Sequence, residues 1–486
     1  MKLNIPSQLA VVTGLSLTLG LSLAQAQTIV PGGAISPRTV GALLTKSANQ
    51  DPADAFAADI QAKGLSAALV DPSIIAWHQR PFTVELKKIG GITDQANTGD
   101  CWIYATLNAF KTNLIASGKV GDDFEFSKNY VYFYSMIEKV NTYLEDMIAE
   151  RVQSISSRKF RTDFRLASDA PEYLISDGGE FAWMRFLAVK YGMVPESAMP
   201  ATKVTLDDGL MLTMIRNDVL VTAKQMIERM HHMGAKLTPA NLKELRQLKL
   251  AGESKVLSVL RLTLGTPPDE QHAFQFAGQS YTPQSFMKFA NLNPLNYVSI
   301  STTPLRPYGK AYMIQEHKSI GIARNNEPGF DLRYVNEDTD RIADLVKKAI
   351  DAGQAIYFGA YVDNYVSASG AMDTSLFKID PFLNPATPTL SLKDQMHAGL
   401  IYSDHAMAFV GYETESSGKI IRFKVENSWG TQVGAAGYFS MARDWFDIFV
   451  QEIAIDQSLV DANELKEWQT PNPIAVKTYD DYFGTE

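Results

Sequence analysis

The chain has 486 residues, 45% hydrophobic and 20% charged, the composition of a large soluble globular protein able to bury one large core or two smaller ones. Its 45 basic and 54 acidic residues give a net charge of −9, which offers no support for general nucleic-acid binding or for docking on anionic membranes. A single cysteine excludes any internal disulfide and leaves one thiol free for chemistry.

Met1 and Lys2 open a short, weakly basic region, residues 9–23 are apolar, and Ala24-Gln25-Ala26 is a small-x-small cleavage pattern. Residues 1–26 therefore read as a signal peptide, with Gln27 first in the mature chain and an exported, periplasmic or extracellular destination. No later apolar run approaches the roughly 20 residues that span a bilayer, so no membrane association is expected after cleavage. Residues 27–83 are rich in Ala, Ser, Gly and Pro and read as an N-terminal arm with one or two small helices.

The segment Gln95-Ala-Asn-Thr-Gly-Asp-Cys101-Trp-Ile-Tyr-Ala-Thr-Leu-Asn-Ala-Phe110 turns from a polar loop into helix formers at the cysteine. Cys101 then sits in a first helical turn, where unpaired N–H groups and the positive end of the helix dipole favour a thiolate. Asp100, just before it, suits a helix N-cap, but its carboxylate opposes the dipole and raises the thiol pKa. A second helix follows, with Tyr130, Phe133, Ile137, Val140 and Leu144 at core-facing spacing. Residues 205–264 form a helix-rich block without catalytic spacing; its His231-His232 pair lacks any metal-ligand pattern.

An amphipathic helix is expected over 340–350, followed by the buried strand Ala355-Ile-Tyr-Phe-Gly-Ala-Tyr361. Ser403-Asp-His405-Ala-Met-Ala-Phe-Val-Gly-Tyr412 is a polar turn feeding a strand. Ile421-Arg-Phe-Lys-Val-Glu-Asn427 alternates like its hairpin partner, with Asn427 at its end. Nucleophilic acyl transfer needs a thiol, an imidazole that takes and returns its proton, and an acceptor that holds the ring in one tautomer. Cys101, His405 and Asn427 supply these in order, and the Gln95 side-chain amide is placed to donate to an oxyanion beside the Cys101 N–H.

Gln95, Gly99-Asp-Cys-Trp102, His405-Ala-Met407 and Glu426-Asn-Ser-Trp-Gly430 resemble the active-site segments of the papain superfamily, in which the indole at the position of Trp429 shields the Asn–His hydrogen bond. His405 follows Cys101 by 304 positions, against roughly 130–150 in simple papain-like domains. Phe126-Ser-Lys-Asn-Tyr-Val-Tyr-Phe-Tyr134, Asp177-Gly-Gly179, Lys190-Tyr-Gly-Met-Val-Pro195, Tyr297-Val-Ser299, Ala355-Ile-Tyr-Phe-Gly359 and Met372-Asp-Thr374 are similar to the bleomycin hydrolase and aminopeptidase C branch.

That resemblance implies an α+β papain-like peptidase domain over 84–486, its catalytic helix packed on a β-barrel-like sheet, with a helical insertion at about 205–264 and a C-terminal tail at about 470–486. It implies a cysteine peptidase acting on peptides, with no cofactor or metal, an arm that wraps the body, and a homohexamer with its active sites inside. The tail would lie in the cleft and hold a substrate's α-amino group, favouring aminopeptidase action; Asp480, Asp481 and Glu486 make its tip more acidic than usual for the branch. A secreted endopeptidase and a catalytically silent binding protein on the same fold are the alternatives.

Overall fold

A computed structural model describes residues 33–47, 56–157, 175–233, 237–314, 332–379 and 390–476. The leader and the end of the tail, with Asp480, Asp481 and Glu486, lie outside the described residues.

The arm is more helical than its composition suggests, with short helices Pro37–Ser47, Ala57–Lys63, Leu65–Leu69 and Pro72–His78. Local signals explain the last of these: Asp71 caps the Ser73 N–H at 2.8 Å and Pro72 occupies the first turn. The fully buried Arg422 guanidinium fastens the arm to the body by donating to the carbonyls of His78 at 3.0 Å, Arg80 at 2.7 Å and Pro81 at 2.8 Å. His78 adds bonds to Ser440 at 2.8 Å and Asp373 at 3.1 Å.

Helix α1 (Cys101–Ala116) contains neither glycine nor proline and is buried on nearly every side, the pattern of a central core helix. Helices α2 (Lys128–Ser157), α3 (Phe181–Tyr191), α4 (Gly209–His232) and α5 (Pro239–Leu264) gather around it in one apolar cluster. Within the helix-rich block, α4 and α5 pack on each other; α5 begins at a Thr238 cap with Pro239 in its first turn. His231 and His232 are exposed at the end of α4.

The second layer is a sheet of eleven strands among the described residues: β1 (Val84–Glu85), β2 (Tyr297–Ser301), β3 (Lys310–Ile314), β4 (Arg333–Asn336), β5 (Ile356–Ala360), β6 (Ala371–Met372), β7 (His405–Thr414), β8 (Ile420–Glu426), β9 (Tyr438–Ala442), β10 (Val450–Asp456) and β11 (Ile474–Val476). The spatial order is β11-β3-β4-β2-β10-β5-β7-β8-β9-β6, with β1 also pairing with β7. A second apolar cluster forms beneath it, under helix α6 (Thr339–Asp351), whose apolar stripe is buried and whose start is capped by Asp338.

α1 lies against β7 and β5, where the helical and sheet layers meet. The start of α1, the start of β7 and the end of β8 therefore converge. Among the described residues no helix is long and apolar enough to cross a membrane.

Candidate active site

The structure brings Gln95, Cys101, His405 and Asn427 to this junction, all buried. Asn427 follows the last residue of β8, and the β7/β8 register pairs Glu426 with Ala408, which sets Asn427 beside the start of β7. His405 Nε2 meets Asn427 Oδ1 at 2.8 Å. The Ser428 backbone N–H donates to the same Oδ1 at 2.7 Å, which identifies that atom as the amide oxygen. An amide oxygen only accepts, so Nε2 carries the ring hydrogen and Nδ1 keeps its lone pair, the tautomer a general base requires. Trp429 stacks on the imidazole, ring centroids 4.7 Å apart and planes 28° apart, covering the Asn–His bond.

Gln95 reaches the site through a short antiparallel contact between its loop and the segment after β8. Its N–H donates to Ser428 O at 2.8 Å, and the Gly430 N–H donates to Thr93 O at 3.1 Å. Gly430 has φ +72°, and a Cβ there would lie 2.8 Å from Asp94 Oδ2, so both conformation and space require glycine. The Gln95 side chain is held at both ends: Oε1 accepts from Ser428 Oγ at 2.6 Å, and Nε2 donates to Thr98 O at 2.6 Å. One of its two amide hydrogens is engaged in the loop, which leaves the other for a second acceptor.

Cys101 heads α1 as the sequence predicts, but Asp100 does not use its side chain as a cap. Its carboxylate is fully buried, paired with Lys128 Nζ at 2.5 Å and accepting from Thr98 Oγ1 at 2.6 Å. A buried cation on α2 outcompetes the helix N–H groups because an unpaired carboxylate at this depth would be costly. Burial raises the Asp100 carboxyl and Lys128 pulls it back.

Burial pushes the Cys101 thiol up to about 12, with Asp100 and Asp404 adding to the rise, while the backbone N–H groups of Ala406 and Trp102 oppose it. Burial also brings His405 down to about 4, with the Asn427 bond acting in the other direction. The helix start acts in the direction expected from its position, the Trp102 N–H lowering the thiol, and burial outweighs it. Moving the proton from sulfur to the ring creates two opposite charges that stabilise each other, so the groups titrate as a pair.

The Asp177-Gly-Gly loop closes the other side. Trp102 Nε1 donates to Asp177 O at 2.8 Å, Gly99 N–H donates to the Asp177 carboxylate, and buried Lys139 donates to Ser176 O and Gly178 O at 2.6 Å each. Sequence reasoning quoted this loop without a role and missed Ser428 and Lys128, whose importance appears only through partners distant in the chain. It also passed over Glu452, which shares β10 with Gln451 and Asp456 among apolar neighbours. Among the described residues no group of three or more His, Cys, Asp and Glu side chains is arranged to hold a metal ion.

A thiol at a helix start, a tautomer-fixed imidazole on the facing sheet and a covered amide behind it define a papain-like cysteine peptidase. The sequence agrees with that class: the chain belongs to the Peptidase C1-like family, whose model matches residues 35–482. It is 29% identical over 403 residues to an aminopeptidase C of Streptococcus thermophilus, covering 80% of this chain and 85% of the relative. It is 29% identical over 447 residues to an aminopeptidase C of Listeria monocytogenes, covering 87% and 93%. The crystal structure of PepW from Lactobacillus rhamnosis superposes with a TM-score of 0.80 at 25% identity, covering 92% of this chain and 98% of that one.

Proposed function

We propose that the protein is an exported cysteine aminopeptidase in which Cys101, His405, Asn427 and Gln95 carry the reaction. Cys101 Sγ passes its proton to His405 Nδ1 and bonds to the scissile carbonyl carbon, whose oxygen takes the displaced electron pair. The Cys101 N–H and the free Gln95 amide hydrogen donate to that oxygen. As the tetrahedral centre collapses, the C–N bond breaks and the leaving amine takes the imidazolium proton. Water then attacks the thioester with His405 as base, the C–S bond breaks and the thiol is restored. Asn427 holds the ring throughout, and no metal or cofactor enters these steps.

The observation that carries this reading is the 2.8 Å bond from His405 Nε2 to Asn427 Oδ1 under Trp429, at the mouth of the helix that holds the only cysteine. The aminopeptidase C relatives support removal of N-terminal residues over internal cleavage. Peptides with a free N-terminus are expected to be cleaved in preference to N-acetylated ones, with all cleavage lost in Cys101→Ala; efficient cleavage of blocked peptides would favour the endopeptidase. Export rests on the leader and predicts a native N-terminus at or near Gln27. The tail's place in the cleft and a homohexamer rest on the branch resemblance, and a native mass of about six chain masses is expected.

A further inference from the structure

We propose that Lys139 is a positioning residue of the peptidase, holding the loop of residues 175–179 against the start of α1 so that this wall of the cleft is set before a peptide arrives. The inference rests on the cysteine peptidase reading and gives it a buried residue that acts through its neighbours.

The loop has no regular structure of its own to hold it, since residues 175–179 lie in neither helix nor strand. Its carbonyls are met by side chains from three separate helices. Ile175 O accepts from Arg216 Nε of α4 at 2.9 Å, Asp177 O accepts from Trp102 Nε1 of α1 at 2.8 Å, and Ser176 O and Gly178 O both accept from Lys139 Nζ of α2 at 2.6 Å. Lys139 thus supplies two of these four bonds and grips the residues on either side of Asp177.

The contacts of Asp177 place the loop at the nucleophile. Its carboxylate accepts from the Gly99 N–H and its carbonyl from Trp102, residues that bracket Cys101. A Cβ at Gly99 would lie 2.8 Å from Asp177 Oδ1, and one at Gly179 would lie 2.5 Å from Trp102 Cε2, so loop and helix start meet with no room between them. Asp177, Gly178 and Gly179 are partly exposed, whereas Lys139 behind them is 1% exposed. The loop borders the cleft, and the lysine supports it from the core.

The residue type fits that task. An apolar side chain of similar length would fill the same space without burying a charge, but it would leave two carbonyls unmet. The ammonium offers both of them charge-assisted bonds and stands over the rings of Trp102, 5.7 Å from the centroid, and Trp183, 5.1 Å from the centroid, which meet edge to face. Burial brings the Lys139 amine down to about 7, while Asp177 on the loop, Asp100 before α1 and Asp208 before α4 act to keep it charged. A loop ordered in advance does not have to be ordered by the substrate, which lowers KM. Because α1 is buried in the core on nearly every side, a loosened loop weakens peptide binding and leaves the thiol in place.

The test compares the full-length protein with Lys139→Met, which keeps the apolar stem and removes the charge and the donors, and with Lys139→Arg, which keeps both. KM and kcat are measured on penta-alanine with products read by mass, and the thiol is followed separately by its rate of iodoacetamide alkylation. In Lys139→Met, KM is expected to rise about tenfold or more while kcat and the alkylation rate stay within about threefold of the parent, and Lys139→Arg is expected to recover most of the KM. A KM within about twofold of the parent in Lys139→Met, an alkylation rate that falls in step with peptide binding, or an arginine variant no better than the methionine one overturns the inference and leaves the peptidase reading standing. No Cys101-dependent cleavage by the parent overturns both. If Lys139→Met does not fold, hydrogen exchange of the parent decides: amide protection over residues 176–179 should fall about tenfold from pH 6 to pH 9 as the ammonium gives up its proton, and unchanged protection overturns the assignment.

Discussion

Asp100→Asn isolates the effect of one buried charge on the nucleophile. In the parent protein the carboxylate beside Cys101 is neutralised by Lys128 at 2.5 Å, yet it still raises the thiol. Asparagine removes the anion and uncovers the Lys128 cation, and both changes favour the thiolate. One unit charge about 7 Å away in an effective dielectric near 20 is worth about 2.4 kcal/mol, or about 1.7 pH units. The assay is the rate of iodoacetamide alkylation against pH, and because the sequence has one cysteine the signal reports Cys101 alone. The profile of the variant is expected to lie about 1–2 units toward acid. Stability should fall by roughly 3–5 kcal/mol, because Lys128 loses its buried ion partner, for which the Thr205 carbonyl at 2.7 Å, the nearby tyrosine rings and the Asp208 and Glu196 charges substitute only in part. A folded variant whose alkylation profile is unmoved, or moves toward alkali, refutes the electrostatic account.

Glu426, beside Asn427, is raised to about 7 by burial, with Lys111 pulling the other way and Glu125 adding to the rise. Its folded-state pKa exceeds the unfolded value, so the folded protein binds the proton more tightly and this group's contribution is lost as pH rises from about 4.5 to about 7. Glu426→Gln should therefore gain up to about 3 kcal/mol relative to the parent across that window, read from unfolding at pH 5 and pH 7.5; parallel pH profiles would exclude the effect. Asn427→Ala removes an orienting group and no bond-forming atom, so kcat is expected to drop by about 10- to 1000-fold while remaining above the Cys101→Ala background. An unchanged kcat, or complete loss, would show that Asn427 has another role.

Elements with a strong local period were legible in the sequence. The buried run around Ile356–Ala360 and the amphipathic Thr339–Asp351 helix lie close to their expected limits, because burial on two faces and on one stripe leave distinct residue patterns. His405 and Asn427 were readable through their flanking motifs, and their 2.8 Å contact is a consequence of the β7/β8 hairpin between them. Partners set by tertiary packing were not readable. Nothing local to Asp100 signals that Lys128 will take its carboxylate, and nothing near Arg422 signals that it will collect the carbonyls of the arm. The sheet order, which sets Glu452 two strands from Ala406, depends on long-range pairing that no short window of sequence contains.

The central claim is that Cys101 is a working nucleophile, and intact-mass measurement after treatment with an epoxide inhibitor of papain-like enzymes tests it most directly. One inhibitor per chain, mapped to Cys101 and absent from Cys101→Ala, is the result this account predicts. A folded protein that takes up no inhibitor, or takes it up at another residue, would contradict it and favour a catalytically silent binding protein on the same fold.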